Sequence, residues 1–183
     1  MSKNAPSTKA EIVSGIHHHH DAFLSLISAL EQGSFDFSWK EKWTPGQQLE
    51  HITKSVAPLV LAMRLPRFVL KYKFGVTNRP SRTYDELVAR YHKALEGLTA
   101  AAPKEFSPKA VPYSTRKQQF TAYEKVVKKL AKVAEKCSDR DLDYYVVPHP
   151  LMGKVTLREI LFFSIYHVQH HHKITEEIIH HYK

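Results

Sequence analysis

The sequence contains little glycine and almost no cysteine. Of its 183 residues, six are glycine and one is cysteine. Because Cys137 has no partner for an intramolecular disulfide, nothing points to an oxidising compartment, and we expect a cytoplasmic protein. No segment alternates apolar and polar residues for long, so the usual pattern of half-buried β-strands is missing.

Long hydrophobic runs are missing as well. The longest, VAPLVLAM at positions 56–63, is far shorter than the roughly 20 apolar residues that span a bilayer. The first fifteen residues, MSKNAPSTKAEIVSG, lack the apolar region of a signal peptide. We therefore expect a soluble chain with no membrane partner, and its length fits one domain over residues 1–183.

Apolar residues recur at steps of three and four almost throughout the chain, which is the pattern of amphipathic helices. We therefore predict an all-α protein. Helix starts are marked by capping boxes, in which a hydroxyl accepts from the third helical amide and a Glu or Gln reaches back. The four capping boxes are Thr44 with Gln47, Thr83 with Glu86, Thr115 with Gln118, and Thr156 with Glu159.

The positions of the helices follow from these starts. They are predicted to run from Ser7 or Thr8 to about residue 32, from Pro45 to about Arg64, from Tyr84 to about Thr99, from Arg116 to Cys137 and from Leu157 to about His181. Gly33 is predicted to end the first helix in a left-handed conformation. The proline-rich segment from Ala101 to Ser114 is predicted to be a surface connection within the domain.

The net charge of +9 raises the possibility of nucleic-acid binding. The densest basic group falls on one helical stripe and comprises Lys125, Lys128, Lys129, Lys132 and Lys136. It contains no interleaved aromatic residues and is interrupted by Glu124 and Glu135. Because a solvated helix face explains this pattern better, we do not expect nucleic acid as a partner.

Six of the thirteen histidines lie in the last predicted helix. One face of this helix carries Ile160, Phe163, His167, His171, Ile174 and Ile178. Buried imidazoles at positions i and i+4 need polar partners, and such a pair can also bind a single ion. Two interpretations stay open for His167 and His171: core histidines satisfied by hydrogen bonds, or two ligands of a metal.

A third ligand has to come from another helix, and His51 in WTPGQQLEH is the best candidate. If its helix runs antiparallel to the last one, His51 and His171 stand about 9 and 15 Å from a common end at 1.5 Å per residue. Three histidine ligands with an open position are typical of catalytic sites, whereas structural zinc sites usually have four ligands.

Other histidines are given no ligand role. In the run His17–His20, His19 and His20 face nearest the core and could approach the site, but we interpret the run as incidental. His149 in PHPLMG is predicted to shape a turn.

Three motifs resemble the DinB-like (YfiT type) superfamily of bacterial metal-binding four-helix bundles: WTPGQQLEH, HPLMGKVTLRE and YHVQHH. The resemblance covers nearly the whole chain. It implies an up-down-down-up four-helix bundle with short additional helices, and a divalent ion bound by His51, His167 and His171 beside a pocket. Zinc or nickel is the expected metal. The sequence departs from the commoner forms at Val168, where an acidic residue is usual, and in residues 66–114, which form either a lid or a decoration.

The resemblance also implies a metal-dependent transferase, isomerase or hydrolase, with a thiol or a small electrophile as substrate. Glu50 is the nearest acidic residue for a base. The aromatic residues available to wall a pocket are Trp39, Trp43, Tyr113 and Tyr166. The alternative is a non-catalytic metal-binding module, in which the ion closes one end of the bundle or serves in stress sensing. The expected partners are a small molecule or thiol and, for the module, a second copy of the chain in a homodimer.

Overall fold

The computed structural model of the protein describes residues 5–96 and 106–182. The predicted helix end at about Thr99 and residues 101–105 of the proline-rich segment lie outside this range. The described helices are α1 Lys9–Ser28, α2 Gln32–Phe35, α3 Pro45–Met63, α4 Arg67–Phe74, α5 Tyr84–Glu96, α6 Arg116–Lys136, α7 Asp139–Tyr144 and α8 Leu157–His180. An antiparallel hairpin, β1 Val146–His149 and β2 Gly153–Thr156, precedes α8. None of the described helices is long and apolar enough to cross a membrane.

The four long helices α1, α3, α6 and α8 form a bundle in which α8 and α6 each pack against both α1 and α3. At the start of α8, Arg158 donates to the carbonyl oxygen of Ser7 at 3.3 Å, so α8 runs in the same direction as α1. At the start of α1, Lys9 donates to the carbonyl oxygen of Cys137 at 3.1 Å. Because Cys137 follows α6, that helix is antiparallel to α1.

The third helix of the bundle, α3, runs against α8. Gln48 pairs with His171, whereas His51, one turn later in α3, pairs with His167, one turn earlier in α8. In chain order the four helices therefore point up, down, down and up. The predicted all-α bundle is confirmed.

Three of the predicted capping boxes form, at Thr44, Thr83 and Thr156. A capping box that was not among the four predicted ones forms at Thr8 and sets the start of α1. The capping box predicted at Thr115 is wrong. There a 3₁₀ turn, Tyr113–Thr115, leads directly into α6, and the Thr115 hydroxyl donates to the carbonyl oxygen of Pro112 at 2.9 Å.

The predicted role of Gly33 is also wrong. α1 already ends at Ser28, and Gly33 lies inside the short helix α2. The described glycines with positive φ are Gly75 and Gly153. A Cβ at position 33 would lie 1.8 Å from the hydroxyl oxygen of Tyr182, so the exposed Tyr182 side chain would have to move to accommodate any other residue there.

The chain between α4 and α5 is tied to the start of α8 by Glu159, whose side chain is fully buried. The Glu159 carboxylate accepts two hydrogen bonds from Arg79, at 2.6 and 2.9 Å, and one from the amide of Arg82 at 2.7 Å. Burial alone would raise the pKa of Glu159, but these bonds hold that pKa below its ordinary value. These hydrogen bonds fix the chain just before α5, and α5 packs along α8.

Candidate metal centre

The side chains of His51 on α3 and of His167 and His171 on α8 meet in the core. Nε2 of His167 lies 3.2 Å from Nε2 of His51 and 3.1 Å from Nε2 of His171. All three residues are buried, and their candidate ligand atoms lie within 4.8 Å of one another. The structure thus brings these residues into one group, the three-histidine centre, which could hold a metal ion.

Hydrogen bonds at the opposite ring nitrogens orient two of the imidazoles. Nδ1 of His51 donates to the carbonyl oxygen of Phe106 at 2.7 Å, and Nδ1 of His171 donates to the side-chain oxygen of Gln48. The amide nitrogen of Gln48 donates to the carbonyl oxygen of Trp43 at 3.1 Å, which sets the orientation of that amide. Because a neutral imidazole carries a single N–H, both rings present an unprotonated Nε2 to the centre.

This arrangement fits a divalent ion better than it fits hydrogen bonding alone. His167 has one Nε2 proton at most, whereas the two facing nitrogens of His51 and His171 both need a donor. Ligand nitrogens at about 2.0–2.1 Å around a tetrahedral zinc ion lie about 3.4 Å from one another. The observed separations of 3.1 and 3.2 Å are close to that value, so one ion could satisfy all three rings.

The surroundings keep the three histidines neutral. Burial lowers the pKa of His51, and the hydrogen bond to Phe106 opposes this shift only in part. Burial, and then the neighbouring imidazoles, lower the pKa of His167 and His171 well below the ordinary histidine value. Neutral imidazole is the form that binds metals.

The three-histidine centre lies at one end of a cavity of about 760 Å³, a volume typical of small-molecule sites. The cavity follows the seam between α3 and α8, from His51 to Ala62 on one helix and from His171 back to Ile160 on the other. α4, α5 and β1 also contribute to the wall. The described part of residues 66–114 therefore forms one side of the cavity. Among the described lining residues none is Asp, Glu, Lys or Arg.

His20 and His149 take other roles. His20 is fully buried, with Nδ1 2.7 Å from the hydroxyl of Tyr123 and Nε2 3.4 Å from that of Ser164. His149 shapes a turn, because its Nδ1 accepts from the amides of Leu151 and Met152 at 3.1 and 3.2 Å. It also lines the cavity, which the sequence does not predict.

Glu50 is turned away from the cavity. Its carboxylate pairs with Lys54 at 3.2 Å and accepts from the amide of Lys109. The physical reason is that adjacent residues on a helix point about 100° apart. Nothing in this arrangement favours Glu50 as a base for chemistry at His51.

The predicted aromatic wall is largely wrong. Trp43 does line the cavity, with its ring centroid 4.9 Å from that of His51. The other three pack elsewhere: Trp39 stacks on His181, Tyr113 contacts Phe35, and Tyr166 forms a hydrogen bond with His92.

Gln48, which accepts from His171, is a residue of the candidate centre that sequence reasoning missed. It lies three residues before His51 and therefore on nearly the same face of α3. A polar side chain one turn from a candidate ligand is a usual source of the hydrogen bond that orients a second ligand. The carbonyl of Phe106 leaves no such signal, because a backbone oxygen is present at every residue.

The fold and the centre define a helical bundle with three buried histidines at one end of a cavity. The family model of the DinB superfamily matches residues 15–174, and the chain belongs to this superfamily. The matched interval contains all three histidines of the centre. A comparison with curated proteins gives no match.

Proposed function

We propose that the protein is a divalent-metal-dependent enzyme that transfers a thiol to a small electrophile or hydrolyses a small molecule, with His51, His167 and His171 as metal ligands. One observation carries this proposal: three neutral imidazoles converge at the end of a cavity that is large enough for a small molecule. Three-histidine sites with an open position are typical of catalytic metal centres.

A divalent ion bound by three neutral ligands would acidify a coordinated thiol or water. The residues of the chain prepare the site for this chemistry. Gln48 and the Phe106 carbonyl hold His171 and His51 with Nε2 facing the centre. Trp43 and the apolar walls reduce the access of water, which strengthens electrostatic interactions inside the cavity.

The proposal assigns no side chain as general base. Val168, at the position where relatives often carry an acid, is fully buried and does not line the cavity. Glu50 is engaged by Lys54 and Lys109. A thiol is the better substrate on these grounds, because a metal can deprotonate it outright without a protein base.

The test requires untagged protein purified without metal-affinity resin, since exposed histidines such as His18 and His180 would otherwise load nickel. Elemental analysis identifies the metal, for which we expect zinc or nickel. Metal-loaded protein, metal-free protein and His167→Ala are then assayed with a panel of low-molecular-weight thiols and a chromogenic electrophile. Activity confined to the metal-loaded protein supports the proposal.

Two outcomes contradict it in different ways. Activity that survives metal removal would overturn the metal-dependent mechanism. Stoichiometric metal without turnover, accompanied by a lower melting temperature of the metal-free protein, would instead favour the non-catalytic module.

A further inference from the structure

His149 presents a hydrogen-bond donor that the metal centre does not use. Its Nδ1 accepts from two backbone amides, those of Leu151 and Met152. A nitrogen that accepts two N–H bonds carries no proton, so the neutral ring is protonated at Nε2. The turn in PHPLMG therefore selects one tautomer and leaves an N–H donor at the opposite edge of the ring. Burial lowers the pKa of His149 to about 4, which keeps the ring neutral at pH 7.

This ring lies next to the three-histidine centre along the cavity. Its centroid is 4.4 Å from that of Phe163, whose ring stacks on His167 at 4.7 Å. His149 is 8% exposed and lines the cavity. In the part of the chain that the structure describes, no hydrogen bond to its Nε2 is seen. A ligand in the cavity could supply an acceptor for this donor.

The two serine hydroxyls on the walls are already engaged. The Ser55 hydroxyl donates to the carbonyl oxygen of His51 at 2.9 Å, and the Ser164 hydroxyl lies 3.4 Å from Nε2 of His20. With no ionic side chain among the described lining residues, a charged ligand in the metal-free protein would be desolvated without a counter-ion. The cavity chemistry therefore favours an uncharged ligand.

The shape of the cavity favours an elongated ligand. Ala62 lies eleven residues after His51 on α3, and both line the cavity. At 1.5 Å per residue the two are separated by about 16 Å along the helix axis. Apolar residues line the interval between them, including Val56 and Leu59.

We propose that the cavity binds an uncharged, elongated apolar molecule with a carbonyl-type oxygen, and that this oxygen accepts a hydrogen bond from Nε2–H of His149. Only the reaction of this ligand at the three-histidine centre rests on the proposed function. Binding itself is expected in the metal-free protein as well.

Binding is measured by displacement of the neutral dye Nile red from metal-free protein with butanamide, octanamide and dodecanamide. Each buried methylene is expected to tighten binding about threefold to fourfold, so octanamide should bind about a hundredfold more tightly than butanamide. Octanoate and octylammonium have the same tail with a charge, and they are expected to bind at least tenfold more weakly than octanamide.

The variant His149→Asn tests the donor. The Asn side-chain oxygen can still accept from the amides of the turn, as in an Asx turn, but it offers no donor at the position of Nε2. Octanamide affinity is expected to fall about tenfold, whereas 1-chlorooctane, which has no carbonyl acceptor, should bind to both proteins equally. Thermal unfolding verifies that the variant is folded.

The variant Ala62→Trp tests the length of the cavity by filling its distal end. We expect dodecanamide to lose its advantage over octanamide, while butanamide binding is unchanged. Equal binding of octanoate and octanamide, or an equal loss of 1-chlorooctane and octanamide in His149→Asn, would overturn the proposal. Failure of the metal proposal is recognised separately. In that case the protein would bind no stoichiometric metal but would still bind the amides.

Discussion

Nε2 of His51 and Nε2 of His167 lie 3.2 Å apart, although 116 positions separate the two residues in the chain. Two antiparallel helices bring them together, and neither helix alone could place both nitrogens. Each nitrogen belongs to a buried side chain, so the separation depends on the packing of α3 against α8. Substitutions that change the ligands should therefore be distinguishable from substitutions that change the bundle.

Alanine substitution of His51, His167 or His171 is expected to abolish stoichiometric binding of a divalent ion, because each removes one ligand of a three-ligand set. Isothermal titration calorimetry with zinc and with nickel measures the stoichiometry. His18→Ala and His180→Ala are the matched controls, because both residues are exposed. Equal losses in both groups would indicate diffuse binding by a histidine-rich surface.

Gln48→Leu is expected to weaken metal binding by about 10-fold to 100-fold, the usual effect of removing the hydrogen bond that orients a ligand. The physical reason is that Nδ1 of His171 loses its acceptor, so the ring is free to change tautomer. Gln48→Glu keeps an acceptor for Nδ1 of His171 but loses the hydrogen bond to Trp43, so it should retain more of the affinity than Gln48→Leu does. If both variants bind metal as the unchanged protein does, the orientation of His171 is immaterial.

Glu159→Ala is expected to lower the free energy of unfolding by about 3 kcal/mol, because it leaves two arginines without their buried partner. This is the lower end for a buried pair, since the Arg79 side chain is partly exposed. Urea unfolding gives the value. Glu86→Ala is the matched control: Glu86 completes the capping box of α5 in the same way but is exposed, so its loss should cost much less. Similar losses of unfolding free energy in the two variants would argue against stabilisation by the buried Glu159 carboxylate.

Unfolding of the metal-free protein should depend on pH through the buried histidines. Burial lowers the pKa of His20 to about 3 and that of His149 to about 4. Below about pH 6.5 the unfolded chain binds protons that the folded chain excludes, so stability is complete above this pH and falls as the pH drops toward 4. The expected slope is up to about 1.4 kcal/mol per pH unit for each such histidine.

Chemical denaturation at a series of pH values measures this slope. His20→Gln is expected to reduce it by the contribution of one histidine, whereas His180→Gln, on the exposed end of α8, should leave it unchanged. A stability that stays constant between pH 7 and pH 4 would contradict the prediction.

The sequence by itself determined most of the helices, because their signals are local. The starts at Thr44, Thr83 and Thr156 depend on a hydroxyl and a Glu or Gln three residues apart. It did not predict the hairpin before α8. Each strand is only four residues long, and Pro148 within β1 interrupts the pattern expected of a strand.

The sequence also placed His167 and His171 on the buried face of one helix, because helical periodicity fixes which residues share a face. It placed His51 on a second helix, at the flank of the apolar face. Only the tertiary structure decided that the three rings converge, since this requires the packing of α3 against α8. It alone assigned Gln48 and the Phe106 carbonyl as partners of the rings, and it alone placed Nε2 of His149 at the cavity. The tautomers of His51 and His171 depend on acceptors that are distant in the chain. A cavity is the space that packed side chains leave, so neither feature is encoded in any single stretch of sequence.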